Sequence, residues 1–92
     1  MKVVITGAAG QISYSLIPFL CEKGIFNSEE KLDLALVEIP GAMERLDGFV
    51  KELEDSAYST VNSISTYDNI QDAVVDADWC LLVGSIPRGI VL

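Results

Sequence analysis

The stretch Val3-Val4-Ile5-Thr6-Gly7-Ala8-Ala9-Gly10-Gln11-Ile12-Ser13 narrows the fold more than any other part of this chain. An apolar run leads at once into a glycine turn and then into residues with helical periodicity, which is a strand-turn-helix junction. Gly7 permits a tight turn, and Gly10 lets a ligand approach bare backbone. The unpaired N–H groups and positive end of the helix that follows attract negative charge. Together these features suit a dinucleotide pyrophosphate. The third position of this GxxGxxG spacing is Ser13 instead of glycine. A small residue is needed there for close packing of helix on strand, and serine adds only the volume of one hydroxyl.

A second apolar run, Leu34-Ala35-Leu36-Val37, has no polar alternation, as expected of a parallel strand buried on both faces. It ends at Glu38. A carboxylate at that position accepts hydrogen bonds from ribose hydroxyls and repels a 2′-phosphate, so Glu38 predicts NAD over NADP. Glu38 follows Gly10 by 28 residues, more than the usual spacing of about 20. Gly24, Asn27, Ser28, Glu29 and Glu30 read as an enlarged loop that absorbs the difference.

The remaining pattern alternates in the same way. A first helix is expected over 11–23, with Ile12, Leu16, Phe19 and Leu20 on its buried face, Pro18 bending it and Gly24 ending it. A second is expected over 42–58, where Met43, Leu46, Val50, Leu53 and Ala57 recur at helical spacing. The acidic Glu52, Glu54 and Asp55 belong to its solvated face and not to a metal site. Ser63-Ile64-Ser65-Thr66 reads as a third strand, and Asp68 or Asn69 caps a third helix carrying Ile70, Ala73, Val74 and Ala77 on one side. The fourth strand, Trp79-Cys80-Leu81-Leu82-Val83, stops at Gly84, and Ser85, Ile86, Pro87, Arg88 and Gly89 follow as loop. Right-handed crossovers between these strands give an α/β fold, a four-stranded parallel sheet of order 3-2-1-4 with helices on both faces. Ligands of such sheets bind beyond the carboxyl ends of strands 1 and 4. Both glycine-containing turns, at 7–10 and 84–88, fall there.

With a formal charge of −8 and only six lysines and arginines, the chain is a poor partner for nucleic acid or an anionic membrane. The apolar start is broken by Gly7, Gly10, Gln11, Ser13 and Ser15, so it does not read as a secretory signal, and no segment is long enough to span a bilayer. Cys21 and Cys80 lie far apart without metal-ligand spacing, and are expected as two buried, reduced thiols in a cytoplasmic protein.

Several segments taken together resemble the cytosolic-type NAD-dependent malate dehydrogenases. They are Thr6-Gly7-Ala8-Ala9-Gly10-Gln11-Ile12, Val37-Glu38-Ile39-Pro40, Met43-Glu44-Arg45-Leu46, Glu52-Leu53-Glu54-Asp55-Ser56-Ala57 and Leu82-Val83-Gly84-Ser85-Ile86-Pro87-Arg88. The resemblance implies part of a Rossmann fold in which Gly7, Ala8, Ala9, Gly10, Gln11, Ile12 and Ser13 wrap the cofactor pyrophosphate. It further implies that Gly84 to Ile86 pass near the nicotinamide, that Arg88 holds a dicarboxylic substrate, and that the second helix contributes to a homodimer. A guanidinium suits that task because it forks onto a carboxylate with two parallel hydrogen bonds. Two departures stand out: Glu38 replaces the family's aspartate, and Ser13 its glycine. The family's later arginines and its proton-shuttling histidine–aspartate pair have no counterpart here, and the chain has no histidine. Residues 1–92 therefore read as a truncated NAD-binding domain without the catalytic domain and without catalytic residues of its own. A stand-alone nucleotide-binding or regulatory module is the alternative. So is a fragment of an extended short-chain dehydrogenase or epimerase, against which stand the Glu-Leu-Glu-Asp helix and the missing tyrosine–lysine pair.

Overall fold

The computed structural model describes residues 1–23 and 30–83. The expectations placed on Gly24, Asn27, Ser28 and Glu29, and on Gly84, Ser85, Ile86, Pro87, Arg88 and Gly89, lie outside the described residues. Strand β1 (Lys2–Thr6) leads to helix α1 (Gln11–Lys23) and strand β2 (Leu32–Val37). A 3-10 turn at Pro40–Ala42 opens helix α2 (Met43–Ser56), followed by β3 (Val61–Tyr67), the single-turn helix α3 (Ile70–Ala73) and β4 (Trp79–Leu81). The four strands are parallel and ordered β3-β2-β1-β4, as the alternation of elements requires.

Side chains alternate across β1 and divide the interior in two. Val3 and Ile5 join Leu32, Leu34 and Leu36 against α1 and α2, which contribute Ile17, Cys21, Leu46, Phe49 and Leu53. Val4 turns the other way and meets Ala35, Val37 and Ala73 of α3, with Tyr67 and Ala77 at the margin. Helices α1 and α2 thus cover one face and α3 covers the other. The central strands β1 and β2 are buried on both sides over residues 3–5 and 34–37, which explains the apolar runs there.

The seam of α1 differs from the expected one. Ser13, Ile17 and Cys21, spaced four residues apart, are the residues buried against the sheet, while Ile12 and Phe19 stand 68% and 57% exposed. Small side chains stand at two of these three positions, and bulkier apolar residues are left on the rim and the outer face. Pro18 lies within α1, which continues beyond it to Lys23. In α2, Leu46 and Leu53 are buried as expected and Phe49 joins them. Met43 and Val50 pack at the edge, and Ala57 is exposed, closing the helix at a left-handed φ of 50°.

Helix α3 is shorter than the expected stretch to Ala77. Asn69 caps it by accepting the Asp72 N–H at 2.9 Å, but the helix ends at Ala73, and Asp76 adopts a left-handed φ of 60°. That turn delivers Asp78 to the start of β1. There its carboxylate accepts the Lys2 backbone N–H at 2.7 Å, and its own N–H donates to the Lys2 carbonyl at 2.9 Å.

Strand β4 is also shorter than expected, and Cys80 is exposed instead of buried. The cause is topological: among the described residues β4 pairs with β1 alone, at the edge of the sheet. Cys21 is buried, and burial pushes its thiol up to about 11, far from the thiolate that reagents attack. A thiol reagent such as dithionitrobenzoate at about pH 8 should therefore label one cysteine of the native chain quickly, with Cys21 reacting only after denaturant is added. Peptide mapping identifies the first site; rapid labelling of both residues in the native state would contradict this burial.

Candidate functional site

The site begins where β1 runs out. Thr6 is the last strand residue, and its hydroxyl donates to the Val83 carbonyl at 3.1 Å while accepting the Val83 N–H at 3.0 Å. This reciprocal pair joins the end of β1 to the chain leaving β4, so the two sides of the switch point are held together by one side chain. Sequence reasoning missed this role. Its only local trace is a hydroxyl at the last position of an otherwise apolar strand, and its partner lies 77 residues away.

Gly7 then turns the chain at φ 61°, a conformation that costs a residue with a Cβ roughly 1–2 kcal/mol. The Gly7 carbonyl accepts two hydrogen bonds, from the Gly10 N–H at 2.9 Å and from the Ser13 hydroxyl at 2.9 Å. Gly10 is favoured by the chain's own contacts. A Cβ there would stand 3.1 Å from the Gly7 carbonyl oxygen, tight enough to force a small shift of backbone. Ser13 is fully buried, and its hydroxyl would be costly there without the Gly7 acceptor.

The turn is also tied to β2. Ala8 N–H donates to the Val37 carbonyl at 3.1 Å, and Ala9 N–H donates to Glu38 Oε2 at 2.9 Å. Glu38 Oε1 accepts the Ile39 N–H at 3.0 Å, and the Glu38 backbone N–H donates to the Tyr67 carbonyl of β3 at 3.1 Å. The half-buried carboxylate predicted at the end of β2 thus stands directly against the glycine turn. An ionised carboxylate has about four acceptor positions, so the two N–H groups leave capacity for ribose hydroxyls.

Helix α1 starts at Gln11, and its first internal bond to the turn is from Tyr14 N–H to the Gly10 carbonyl at 2.9 Å. The N–H groups of Gln11, Ile12 and Ser13 have no acceptor within the helix, which leaves them to serve an anion. Tyr14 links the two helices of this face. Its hydroxyl donates to Glu52 Oε2 at 2.9 Å, its ring lies 5.1 Å from that of Phe49, and the neighbouring carboxylate raises its pKa.

The residues present fit a dinucleotide on this structure's own evidence: a bare-backbone turn, a helix start and a carboxylate in contact with that turn. Gly7, Ala8, Ala9, Gly10, Gln11, Ile12, Ser13 and Glu38 are brought together at the carboxyl ends of β1 and β2. Gly84 and Arg88 lie outside the described residues.

Residues 1–90 match the sequence profile of the lactate/malate dehydrogenase NAD-binding domain. This chain belongs to that family. The NAD-binding domain is 45% identical over 89 residues to a malate dehydrogenase of Magnetococcus marinus, an alignment covering 97% of this chain and 27% of the relative. Its fold superposes on a malate dehydrogenase from Naegleria fowleri with a TM-score of 0.88 at 34% identity, covering 97% of this chain and 27% of the other. It superposes on a Trichomonas vaginalis lactate dehydrogenase in complex with NADH and oxamate with a TM-score of 0.84 at 35% identity, again covering 97% and 27%. The domain therefore spans about a quarter of the length of these relatives. NAD is its cofactor. Among the described residues, no helix is long and apolar enough to cross a membrane.

Proposed function

We propose that this NAD-binding domain serves malate dehydrogenation, holding the adenosine and pyrophosphate half of the cofactor and one arm of the substrate site. The observation that carries this reading is the contact between Glu38 and Ala9 N–H, which puts an acidic group directly against the glycine turn. In this reading the turn and helix start at residues 7–13 receive the pyrophosphate through the N–H groups of Gln11, Ile12 and Ser13, those of Ala8, Ala9 and Gly10 being engaged within the chain. Glu38 orients the adenosine ribose and repels a 2′-phosphate. Gly84 passes near the nicotinamide, and Arg88 forks onto a carboxylate of a dicarboxylic 2-hydroxy or 2-oxo acid. When bound, NAD supplies the hydride acceptor.

Preference for malate over lactate rests on Arg88, since a second carboxylate on the substrate gives a guanidinium something to grip. Residues 1–92 form the NAD-binding domain in this reading, and the proton transfer that accompanies hydride movement is supplied by groups outside it. The chain contains no histidine to supply it. The protein works in the cytoplasm as a homodimer to which α2 contributes, and neither nucleic acid nor membrane is a partner.

Titration of the chain with NAD and NADP by calorimetry tests the cofactor half of this proposal. NAD should bind at least about tenfold more tightly, because a phosphate placed against the Glu38 carboxylate meets like charge in a partly desolvated crevice. Equal affinities would remove Glu38 from the ribose site.

A further inference from the structure

We propose that Ser13 is a positioning residue for the cofactor pyrophosphate, acting through the Gly7 carbonyl; the proposal rests on the dinucleotide reading of residues 7–13. The peptide unit between Gly7 and Ala8 is held at both ends. On its N–H side Ala8 donates to the Val37 carbonyl of β2 at 3.1 Å, and on its carbonyl side Gly7 accepts from Gly10 N–H and Ser13 Oγ, each at 2.9 Å. The next N–H, that of Ala9, is fixed by Glu38. The turn is therefore pinned from β2 on one side and from α1 on the other, and the α1 anchor that comes from a side chain is Ser13.

A glycine or alanine at 13 would fill the position that close packing demands but would leave the Gly7 carbonyl with Gly10 N–H alone. Gly7 already occupies a left-handed φ, and a glycine there has many alternatives to leave for. The buried hydroxyl removes that freedom before the ligand arrives. The turn that presents the N–H groups of Gln11, Ile12 and Ser13 to the phosphate is then preorganised, and the ordering cost on binding falls.

The test compares two ligands, ADP-ribose, which carries the pyrophosphate, and adenosine, which lacks it, by amide NMR titration of the full chain and of Ser13→Ala and Ser13→Gly. Both variants should bind ADP-ribose about three- to tenfold more weakly, the worth of one hydrogen bond, and adenosine as the parent does. A merely structural serine would weaken both ligands alike, and that result would overturn the proposal, as would unchanged ADP-ribose affinity. The amide spectra report folding in the same samples. If Ser13→Ala does not fold, Ser13→Gly decides, and unfolding of both assigns the hydroxyl to core stability and overturns its positioning role. Failure of the parent chain to bind ADP-ribose would instead refute the dinucleotide reading, an outcome seen without any variant.

Discussion

Ile17→Ala should lower the unfolding free energy by about 2–5 kcal/mol, and Ile12→Ala, the same chemical change five residues earlier on the same helix, by no more than about 0.5 kcal/mol. Ile17 is fully buried between α1 and the sheet beside Val3, Ile5 and Leu34, whereas Ile12 is mostly in solvent. The lost transfer energy and the cavity left behind both act at position 17 and neither acts at position 12. A chain of this size has about 5–14 kcal/mol in all, so the first change removes a large share. Urea denaturation followed by circular dichroism measures both. Comparable midpoints for the two variants would mean that α1 presents a different face to the sheet.

Glu38→Ala should weaken NAD binding about 10- to 100-fold. The substitution removes the acceptor of the Ala9 and Ile39 N–H groups as well as the charge expected to grip the ribose, and each charge-assisted bond is worth about 1.5–3 kcal/mol. Glu38→Asp separates these contributions. The charge remains near the sugar, but the arm shortened by one methylene no longer spans to Ala9, so the expected loss is intermediate and NAD stays preferred over NADP. Calorimetric titration gives the affinities; a Glu38→Ala variant with parental NAD affinity would show that the carboxylate serves only to close the turn.

The order of strands, the position of the glycine turn and the placement of Glu38 were all legible in the sequence. Each rests on a strong local signal: the unbroken apolar runs of β1 and β2, the conformational freedom of Gly7, and an acidic residue where β2 stops. What was misread depends on layers that local periodicity does not report. Hydrophobicity favoured Ile12 and Phe19 for the buried face of α1, but the face that meets the sheet is the narrow seam of Ser13, Ile17 and Cys21, set by how the helix is rotated on the sheet and not by its local apolar content. Cys80 sits in an apolar run, yet its strand pairs with β1 alone among the described residues, so the run does not imply burial. Helix α3 ends early because the chain must turn at Asp76 to bring Asp78 onto Lys2, a contact between residues 76 apart. A separation of 77 residues likewise hides the Thr6–Val83 pair, and Ser13 was judged by its volume although its hydroxyl bonds the Gly7 carbonyl.

Strand β1 precedes the other described elements in the chain and is flanked by β2 on one edge and by β4 on the other, with Val3 opposite both Leu34 and Trp79. The polypeptide therefore cannot close its central strand until nearly all of its described length has been synthesised. Until then β1 carries an open row of hydrogen-bonding groups beside two apolar surfaces, which is the form most prone to associate with other nascent chains. Translation speed through the codons preceding β4, and access of holdase chaperones to that interval, should accordingly govern how much soluble protein a cell recovers.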